Sequence, residues 1–477
     1  TNDKPVITTG TQSIAFSGGT NVPGGPLTSN DPSSGTLSFT DVDLTDTHTV
    51  SVALTSPQQS NIPQTLWDLF NKALSASVAV DSTGTGGGAV NWSLADLPAY
   101  AADFIPAGQT VTLIYTVTIT DSQGAAAQQA VTVTIVGTND PAVVWIATTS
   151  GGEGPGPREA PLPLWSDGAN WETGHAPTAG DDVFVVTDQL RGLTPAFPVT
   201  IDTAAFAKSV TMNDYGGGRS APELDNLSTF TITGALTLKA DASLYNFAGA
   251  TISVGGKAEF ADQSVLNNAG TLLLAAGGEF GADASITNTG TLELISGTLT
   301  VLGELVNATD VGAGLIQIEY GAQLVLEHST VWGGVLLNAG TVHVEAEPAT
   351  TLDNVVVDNS QGTIIVDDDG ASPLRSTLIL GGKTTITGGM LTVGVVGTLE
   401  IAGLGATLAG VHVGNFGVFT VDESATLQLI GTDVTSDGTF HVSGTVDVSG
   451  VSSFSGAIVN DGTIEIVGGT FEITGSV

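Results

Sequence analysis

Three aspartates early in the chain have the residue type and the spacing that metal chemistry requires. Asp41, Asp43 and Asp46 lie in the segment Phe39–His48, between two stretches that alternate as β-strands do. Alternate residues of an extended segment point to the same side, so Asp41 and Asp43 can share one cation. Because calcium takes oxygen ligands, carboxylates among them, the spacing predicts a calcium site. The alternative interpretation is a solvated acidic loop between two strands.

A phrase that occurs twice, Thr1–Pro5 and Thr138–Pro141, supplies a second set of candidate calcium ligands. It opens and closes one β-patterned stretch, so we expect it to mark the junctions of a tandem array within a longer chain. Calcium bound at a junction would stiffen that junction. The alternative interpretation is a plain turn, because Asn, Asp and Pro all favour turns. The candidate junction ligands are Asn2, Asp3, Asn139 and Asp140. Asp121 is interpreted as a hairpin-turn residue or as a further ligand.

The chain of 477 residues carries a net charge of −38, from 48 Asp and Glu against 10 Lys and Arg. Nucleic acid and anionic membrane are excluded as partners on this basis, because both require basic patches. Hydrophobic residues nevertheless make up 41% of the chain and alternate regularly, so we expect a folded protein whose charge calcium partly neutralises. The chain has no Cys and therefore neither disulfides nor thiolate metal sites. No apolar stretch reaches transmembrane length. The expected use of calcium, which is abundant outside cells and scarce within them, favours an extracellular location, secreted or on a cell surface.

Residues 1–143 are predicted to form one β-sandwich domain, because short alternating strands are separated by Gly, Pro, Asn and Asp. The predicted strands are 35–40, 49–54, 89–94, 110–119 and 131–136. The amphipathic segment Gln64–Ala73 predicts a short helix inserted between strands.

This first module resembles a VCBS-type repeat in several motifs that follow the order of that family. The motifs are Gly35–Leu37, Thr40–Asp43, Val90–Trp92, Ala107–Thr110, Tyr115–Val117, Thr120–Gly124 and Gly137–Pro141. VCBS-type repeats are cadherin-like or immunoglobulin-like modules of giant calcium-binding bacterial surface proteins and RTX-type adhesins. The resemblance implies a calcium-binding sandwich, and the segment from Gln58 to Ser75 departs from it by its greater length.

A different, shorter period governs the rest of the chain. The phrase Asn-x-Gly-Thr and its variants recur, with the first two copies 20 residues apart and a step of 24 residues from Gly438 to Gly462. The copies are Asn268–Leu272, Asn288–Leu292, Asn338–Val342, Asp437–Phe440 and Asn460–Ile464. Such a period, with three short strands per turn, predicts a β-solenoid whose Gly residues lie at corners and whose like residues stack in ladders. We assign residues 144–228 to a linker and capping segment and residues 229–477 to a right-handed parallel β-helix.

Two tryptophans precede the repeats in a segment, 165–182, that resembles the entry segment seen before bacterial parallel β-helices. We predict that Trp165 and Trp171 cap the first coil, because an open solenoid end would expose an unpaired edge.

One run of acidic residues on the solenoid is the strongest candidate for an enzymatic site. Polysaccharide lyases on parallel β-helices combine calcium held by carboxylates with a basic residue that abstracts a proton, and Arg375 follows the run. The run consists of Asp367, Asp368 and Asp369, and weaker pairs are Arg191 with Asp188 and Arg219 with Asp214. With only ten Lys and Arg to bind a polyanionic substrate, we predict no catalytic residue and keep the run as a candidate cation site.

The sequence therefore predicts a non-enzymatic, all-β segment of a large calcium-binding bacterial adhesin, active in adhesion or biofilm formation. The expected partners are neighbouring modules of the parent chain and, through many weak contacts, a glycan, a surface ligand or another copy. Two other classes stay open. One is a self-assembling extracellular matrix or filament component, and the other is a polysaccharide lyase or hydrolase on the β-helix.

Overall fold

A computed structural model describes most of the chain as β-structure. Strands account for 61% of the residues. The described residues are 2–16, 33–57, 64–95, 97, 109–136, 143–147, 163–171, 173–187, 195–214, 221–310, 312–345, 348–367 and 375–476. They divide between two compact units, one within residues 1–144 and the other within residues 145–187 and 195–477. Among the described residues, no helix has the length and hydropathy that crossing a membrane requires.

The N-terminal unit contains two four-stranded sheets. Sheet A is antiparallel, with the spatial order Val6–Ile7, Ser34–Thr40, Gly87–Leu94 and Leu74–Val80. Sheet B has the order Gln12–Phe16, Ala126–Val136, Thr110–Asp121 and His48–Leu54, and only its first pair is parallel. The predicted helix is confirmed as Gln64–Ala73, directly before the edge strand of sheet A.

Several strands of this unit bury alternate side chains, as the alternating sequence predicts. Leu37 and Phe39 are buried in sheet A, and Leu113 and Tyr115 are buried in sheet B. The Tyr115 hydroxyl donates to the Phe70 carbonyl oxygen at 2.6 Å, which ties the helix to sheet B. Each of the two sheets therefore has one apolar, buried side.

The second unit is a parallel β-solenoid of about 12 turns, which confirms the coarse prediction for this part of the chain. Each turn contributes strands to three parallel sheets, called face 1, face 2 and face 3. Face 1 contains Asp182–Thr187, Ser209–Asp214, Leu236–Lys239, Ala258–Phe260, Gly277–Phe280, Thr298–Val301, Gln323–Glu327, Thr341–Glu345, Thr363–Val366, Met390–Val393, His412–Asn415, Asp433–Ser436, part of Val451–Asn460, and Thr470–Ser476.

Faces 2 and 3 follow face 1 along every turn. Face 2 contains Val199–Ile201, Glu223–Asn226, Ser243–Asn246, Val265–Asn268, Ser285–Asn288, Glu304–Val306, Thr330–Trp332, Thr350–Asp353, Ser376–Gly381, Gly397–Ile401, Val418–Val421, Thr439–Val442 and the rest of Val451–Asn460. Face 3 contains Ala205–Ala207, Thr229–Ile232, Thr251–Val254, Thr271–Leu274, Thr291–Leu294, Leu315–Ile318, Val335–Asn338, Val356–Asp358, Thr384–Thr387, Ala406–Ala409, Thr426–Ile430, Thr445–Ser449 and Thr463–Ile466. A small antiparallel hairpin, Ala308–Thr309 with Gly312–Ala313, is inserted in one turn.

Like residues stack in the solenoid core because each coil repeats the register of its neighbour. Phe419 and Phe440 are in register on face 2, with ring centroids 4.5 Å apart. Phe440 also stacks on Phe454 of the next coil at 5.4 Å. One coil alone could not bury these rings, so the core is a property of the stack.

Buried asparagines form a continuous ladder at the corner between face 2 and face 3. Each side-chain amide donates to the amide oxygen of the next Asn at 2.7 to 2.8 Å. The members are Asn226, Asn246, Asn268, Asn288 and Asn307. The ladder then changes corner, because Asn338 bonds Asn359 after face 3, and Asn415 bonds Ser436 after face 1. The repeated sequence phrase therefore marks a corner without specifying which one.

The parallel stacking begins earlier than the predicted boundary at residue 229. Asp182–Thr187 already pairs in register with Ser209–Asp214, within the segment that the sequence assigned to a linker and cap. These first coils lack the Asn-x-Gly-Thr phrase, so their sequence did not reveal them as coils.

Candidate calcium site in the N-terminal unit

Two groups of predicted calcium ligands that are far apart in sequence meet at one end of the N-terminal unit. The Asn2 side-chain amide donates to Asp121 Oδ2 at 3.0 Å. The backbone N–H of Asp3 donates to Asp43 Oδ2 at 2.6 Å. The structure therefore joins the first junction phrase, the acidic segment after sheet A and the turn of sheet B in one cluster.

Asp46 is the member of this cluster that most needs a cation. Its side chain is buried, with 4% of the residue exposed. Oδ1 accepts a hydrogen bond from the Ser122 hydroxyl at 3.1 Å, while Oδ2 is buried without a hydrogen-bond partner. A buried carboxylate oxygen without a partner is costly, and a bound cation would remove that cost.

Asp41 is engaged by a histidine that the sequence reasoning left without a role. His48 Nε2 lies 3.1 Å from Asp41 Oδ2, and both side chains are fully buried. On the other side of the ring, His48 Nδ1 lies 2.8 Å from Asp81 Oδ1. Asp41 Oδ1 accepts from the backbone N–H of Asp43, so both oxygens of Asp41 have protein partners. Asp41 is accordingly a weaker calcium ligand than the spacing predicts.

The two carboxylates favour the charged form of the His48 ring. Burial by itself lowers the pKa of His48, but the hydrogen bonds and charges of Asp81 and Asp41 outweigh it and raise the pKa overall. Burial likewise raises the pKa of Asp81, and the hydrogen bonds and charge of His48 reverse this and hold it below its usual range. His48 therefore neutralises carboxylate charge here from within the protein.

Asp121 ends a strand of sheet B and shapes the hairpin turn that follows. Its Oδ1 accepts from the backbone N–H groups of Gln123 and Ala125, each at 2.9 Å. Burial raises the pKa of Asp121, but these bonds and the one from Asn2 lower it more, so that the carboxylate stays ionised. Asp121 therefore both shapes the hairpin turn and contacts Asn2, another candidate ligand.

Among the described residues, no three His, Asp or Glu side chains are already arranged to hold a metal ion. The oxygens near Asp46 nevertheless fit calcium, because they are carboxylate and amide oxygens and one of them is buried and unpaired. Calcium would be held there by Asp46 and Asp43, with Asn2 and Asp3 completing the set. Both oxygens of Asp121 have protein partners, so Asp121, like Asp41, would be a weaker ligand. The ion would supply positive charge that draws these side chains together.

The predicted capping tryptophans form a buried aromatic cluster in the second unit. Trp165 packs against Trp171 with ring centroids 4.8 Å apart, and against Phe230 of face 3 at the same distance. Trp145 joins the cluster at 4.9 Å from Trp171, and its position in the sequence gave no sign of this. The first coil has only Ala205 in register with Phe230, so the small side chain leaves room for the Trp165 ring.

The remaining sequence-predicted residues lie outside the cluster or outside the described residues. Asp367 follows a strand of face 1, where its carbonyl oxygen is 3.1 Å from His343 Nε2. The residues outside the described ranges are Asn139, Asp140, Asp188, Arg191, Arg219, Asp368 and Asp369.

Comparison with known proteins leaves the function to be argued from these geometries. No family model, no curated protein and no solved structure matches the chain. The relation of the first module to VCBS-type repeats therefore rests on the sequence motifs.

Proposed function

We propose that the chain is a segment of a large calcium-binding bacterial surface adhesin, in which it extends the molecule and contacts a ligand or surface. The unpaired, buried Oδ2 of Asp46 carries the calcium part of this proposal. Calcium binds beside the first junction phrase, so it stiffens the connection to a neighbouring module. The protein acts outside the cell, where calcium is abundant.

The strand order of the N-terminal unit supports a cadherin-like or immunoglobulin-like sandwich. In immunoglobulin constant domains, one sheet has the strands A, B, E and D, and the other has C, F and G. Sheet A and sheet B follow this order, with the first strand divided between the two sheets. The rings of Phe39 in sheet A and His48 in sheet B lie 4.8 Å apart, as expected for facing sheets.

The solenoid supplies an extended contact surface in this proposal. About 12 turns at about 4.8 Å each give a length of about 55–60 Å. We propose the right-handed form of this parallel β-helix. Each turn repeats similar outward positions, so that many weak contacts with a ligand add together through their effective concentration.

Calcium titration followed by thermal unfolding tests the proposed function. A ligand that binds only the folded protein stabilises it by about 2.7 kcal/mol at one hundred times its dissociation constant. We expect calcium to raise the unfolding temperature of the wild type and to have little effect on Asp46→Asn. The Asn side chain keeps the size of Asp and removes the charge that calcium requires.

Two matched variants locate the response. Asp447→Asn changes a carboxylate on the outer side of face 3 and should keep the full calcium response. Asp81→Asn disturbs the His48 pair, so it should lower stability without abolishing the calcium response. An unfolding temperature that does not change with calcium at millimolar concentration would contradict the proposal.

A further inference from the structure

A groove at the corner between face 3 and face 1 lies apart from the proposed calcium site. Its volume is about 260 Å³. It crosses three successive coils, in which Gln317, Leu337 and Asp358 are in register on the outer side of face 3. The asparagine ladder resumes directly beneath it, at Asn338.

The groove exists because the middle coil has apolar side chains where its two neighbours have polar ones. Leu337 and Ala339 line the floor, between Glu319 on one coil and Asp358 on the other. Neighbouring coils are about 4.8 Å apart, so the two polar walls are separated by about 9–10 Å. This width suits one sugar ring with hydrogen bonds to both sides.

Hydrogen bonds within each wall hold the carboxylates in place. The Gln317 side-chain amide donates to Glu319 Oε1 at 2.5 Å. On the opposite wall, the Ser360 hydroxyl and backbone N–H donate to Asp358 Oδ1 at 2.5 and 3.0 Å. These two bonds lower the pKa of Asp358, so its carboxylate is an ionised acceptor at neutral pH.

The chain continues from Glu319 into an aromatic residue that is exposed to solvent. Tyr320 is 90% exposed and follows the wall residue Glu319. The turn that carries it is closed by a hydrogen bond from the Ala322 N–H to the Glu319 carbonyl oxygen at 3.0 Å. A tyrosine on a fixed turn offers a large contact area at a low cost in conformational entropy.

We propose that this groove binds one hexose unit of an uncharged glycan. Glu319 and Asp358 accept hydrogen bonds from sugar hydroxyl groups. Leu337 and Ala339 contact the C–H face of the ring, and Tyr320 packs against the next unit of the glycan. The inference deepens the contact role proposed for the solenoid, because it names the class of ligand and the place where the ligand binds.

Charge and geometry argue against three other ligand classes at this groove, namely polyanionic glycans, metal ions and purely apolar ligands. The two wall carboxylates repel polyanionic glycans, and the protein as a whole carries a charge of −38. A metal ion would require more ligands than the two carboxylates of this groove, which stand on opposite walls. A purely apolar ligand would leave the polar walls without partners.

Surface plasmon resonance on immobilised oligosaccharides tests the proposal with the full chain. The probes are maltohexaose, cellohexaose, laminarihexaose and mannohexaose, and hexagalacturonate serves as the anionic counterpart. We expect the wild type to bind at least one uncharged probe and not hexagalacturonate. Ala339→Trp fills the groove while leaving Glu319 and Asp358 unchanged, and it should weaken binding at least tenfold. Tyr320→Ala should weaken binding several-fold.

Trp332→Ala is the matched control, because it removes an aromatic side chain that is 44% exposed on face 2. It should leave glycan binding unchanged. The proposal falls if no uncharged probe binds, or if Ala339→Trp and Trp332→Ala have the same effect. Repeating the titrations with calcium and with a chelator separates the two proposals, because binding at the groove should persist after calcium is removed.

Discussion

Asn268 donates its side-chain amide to Asn288 Oδ1 at 2.7 Å, and both side chains are buried at the same corner of successive coils. The same amide also donates to the Thr291 carbonyl oxygen at 2.8 Å, while Asn268 Oδ1 accepts from Asn246. Each asparagine in the ladder thus satisfies a backbone group at the corner as well as its own neighbours. A hydroxyl or methyl side chain could not make all three bonds.

Asn268→Ala should destabilise the solenoid because it leaves both neighbouring asparagines with an unpaired buried group. Each such group costs about 1–3 kcal/mol. The adjacent Asn267 faces outward on the same strand, so Asn267→Ala should change the free energy of unfolding by less than about 0.5 kcal/mol. Hydrogen exchange and urea unfolding of the two variants measure the difference. Equal stability of the two would contradict the structural role of the ladder.

Trp165→Ala should destabilise the first coils by about 3–5 kcal/mol, because it opens a cavity against Trp171 and Phe230. Trp332→Ala removes a tryptophan that is 44% exposed, so its effect should be much smaller. Thermal unfolding of both variants, followed by near-ultraviolet circular dichroism, measures the contrast. Similar losses would mean that the buried tryptophan cluster does not close the solenoid end.

His48→Ala should destabilise the N-terminal unit strongly because it leaves the buried carboxylate of Asp41 without its partner. Breaking a buried ion pair by removing one member costs about 3–5 kcal/mol. The double variant His48→Leu/Asp41→Asn removes the charge as well as the ring and should recover much of this loss. Chemical unfolding of the single and double variants in the presence of a calcium chelator measures the recovery. A double variant no more stable than His48→Ala would show that the loss comes from packing alone.

Glu400 makes the stability of the solenoid depend on pH. Burial, together with the charge and hydrogen bond of Asp422, raises the pKa of Glu400. The folded protein therefore holds this proton more tightly than the unfolded chain, whose Glu has a pKa of about 4.3. The stability that the proton provides is complete below that value and is lost as the pH rises through the higher folded pKa.

Glu400→Gln should consequently stabilise the protein at pH 7 and lose this advantage below about pH 4. Thermal unfolding across this range tests the sign of the effect. Glu465→Gln, which alters an exposed side chain on face 3, serves as the control and should show no comparable gain at pH 7. If the stability gain of Glu400→Gln over the wild type increased toward low pH, this result would contradict the raised pKa of Glu400.

The regular parts of the fold could be predicted from the sequence because successive side chains along a strand point alternately to a buried and to an exposed surface. Thr110–Asp121 alternates over its whole length, and Ala126–Val136 alternates from Val131 onward; the predicted strands lie in these stretches. The corner positions could not be read in the same way. Asn288 and Asn338 share one phrase but lie at different corners, because only the three-dimensional stack determines which sheet each phrase follows.

The candidate metal site was predictable only in part, for a related reason. The spacing of Asp41 and Asp43 revealed two carboxylates on one segment. It could not reveal that His48 binds Asp41, since this contact depends on how sheet A and sheet B meet. Asp81 is 33 residues from His48, and no local pattern links them. The tryptophan at position 145 was missed likewise, because its partners come from distant segments.

The tryptophan cluster lies at the amino-terminal start of the stack of coils. Trp165 packs against Phe230 of the second face 3 strand, so the cluster is complete once that coil has formed. Each later coil pairs only with the one before it, so it can settle as soon as about one turn of chain has emerged. Unpaired strand edges would then be limited to the growing tip, which reduces the surface open to wrong pairing during synthesis or export.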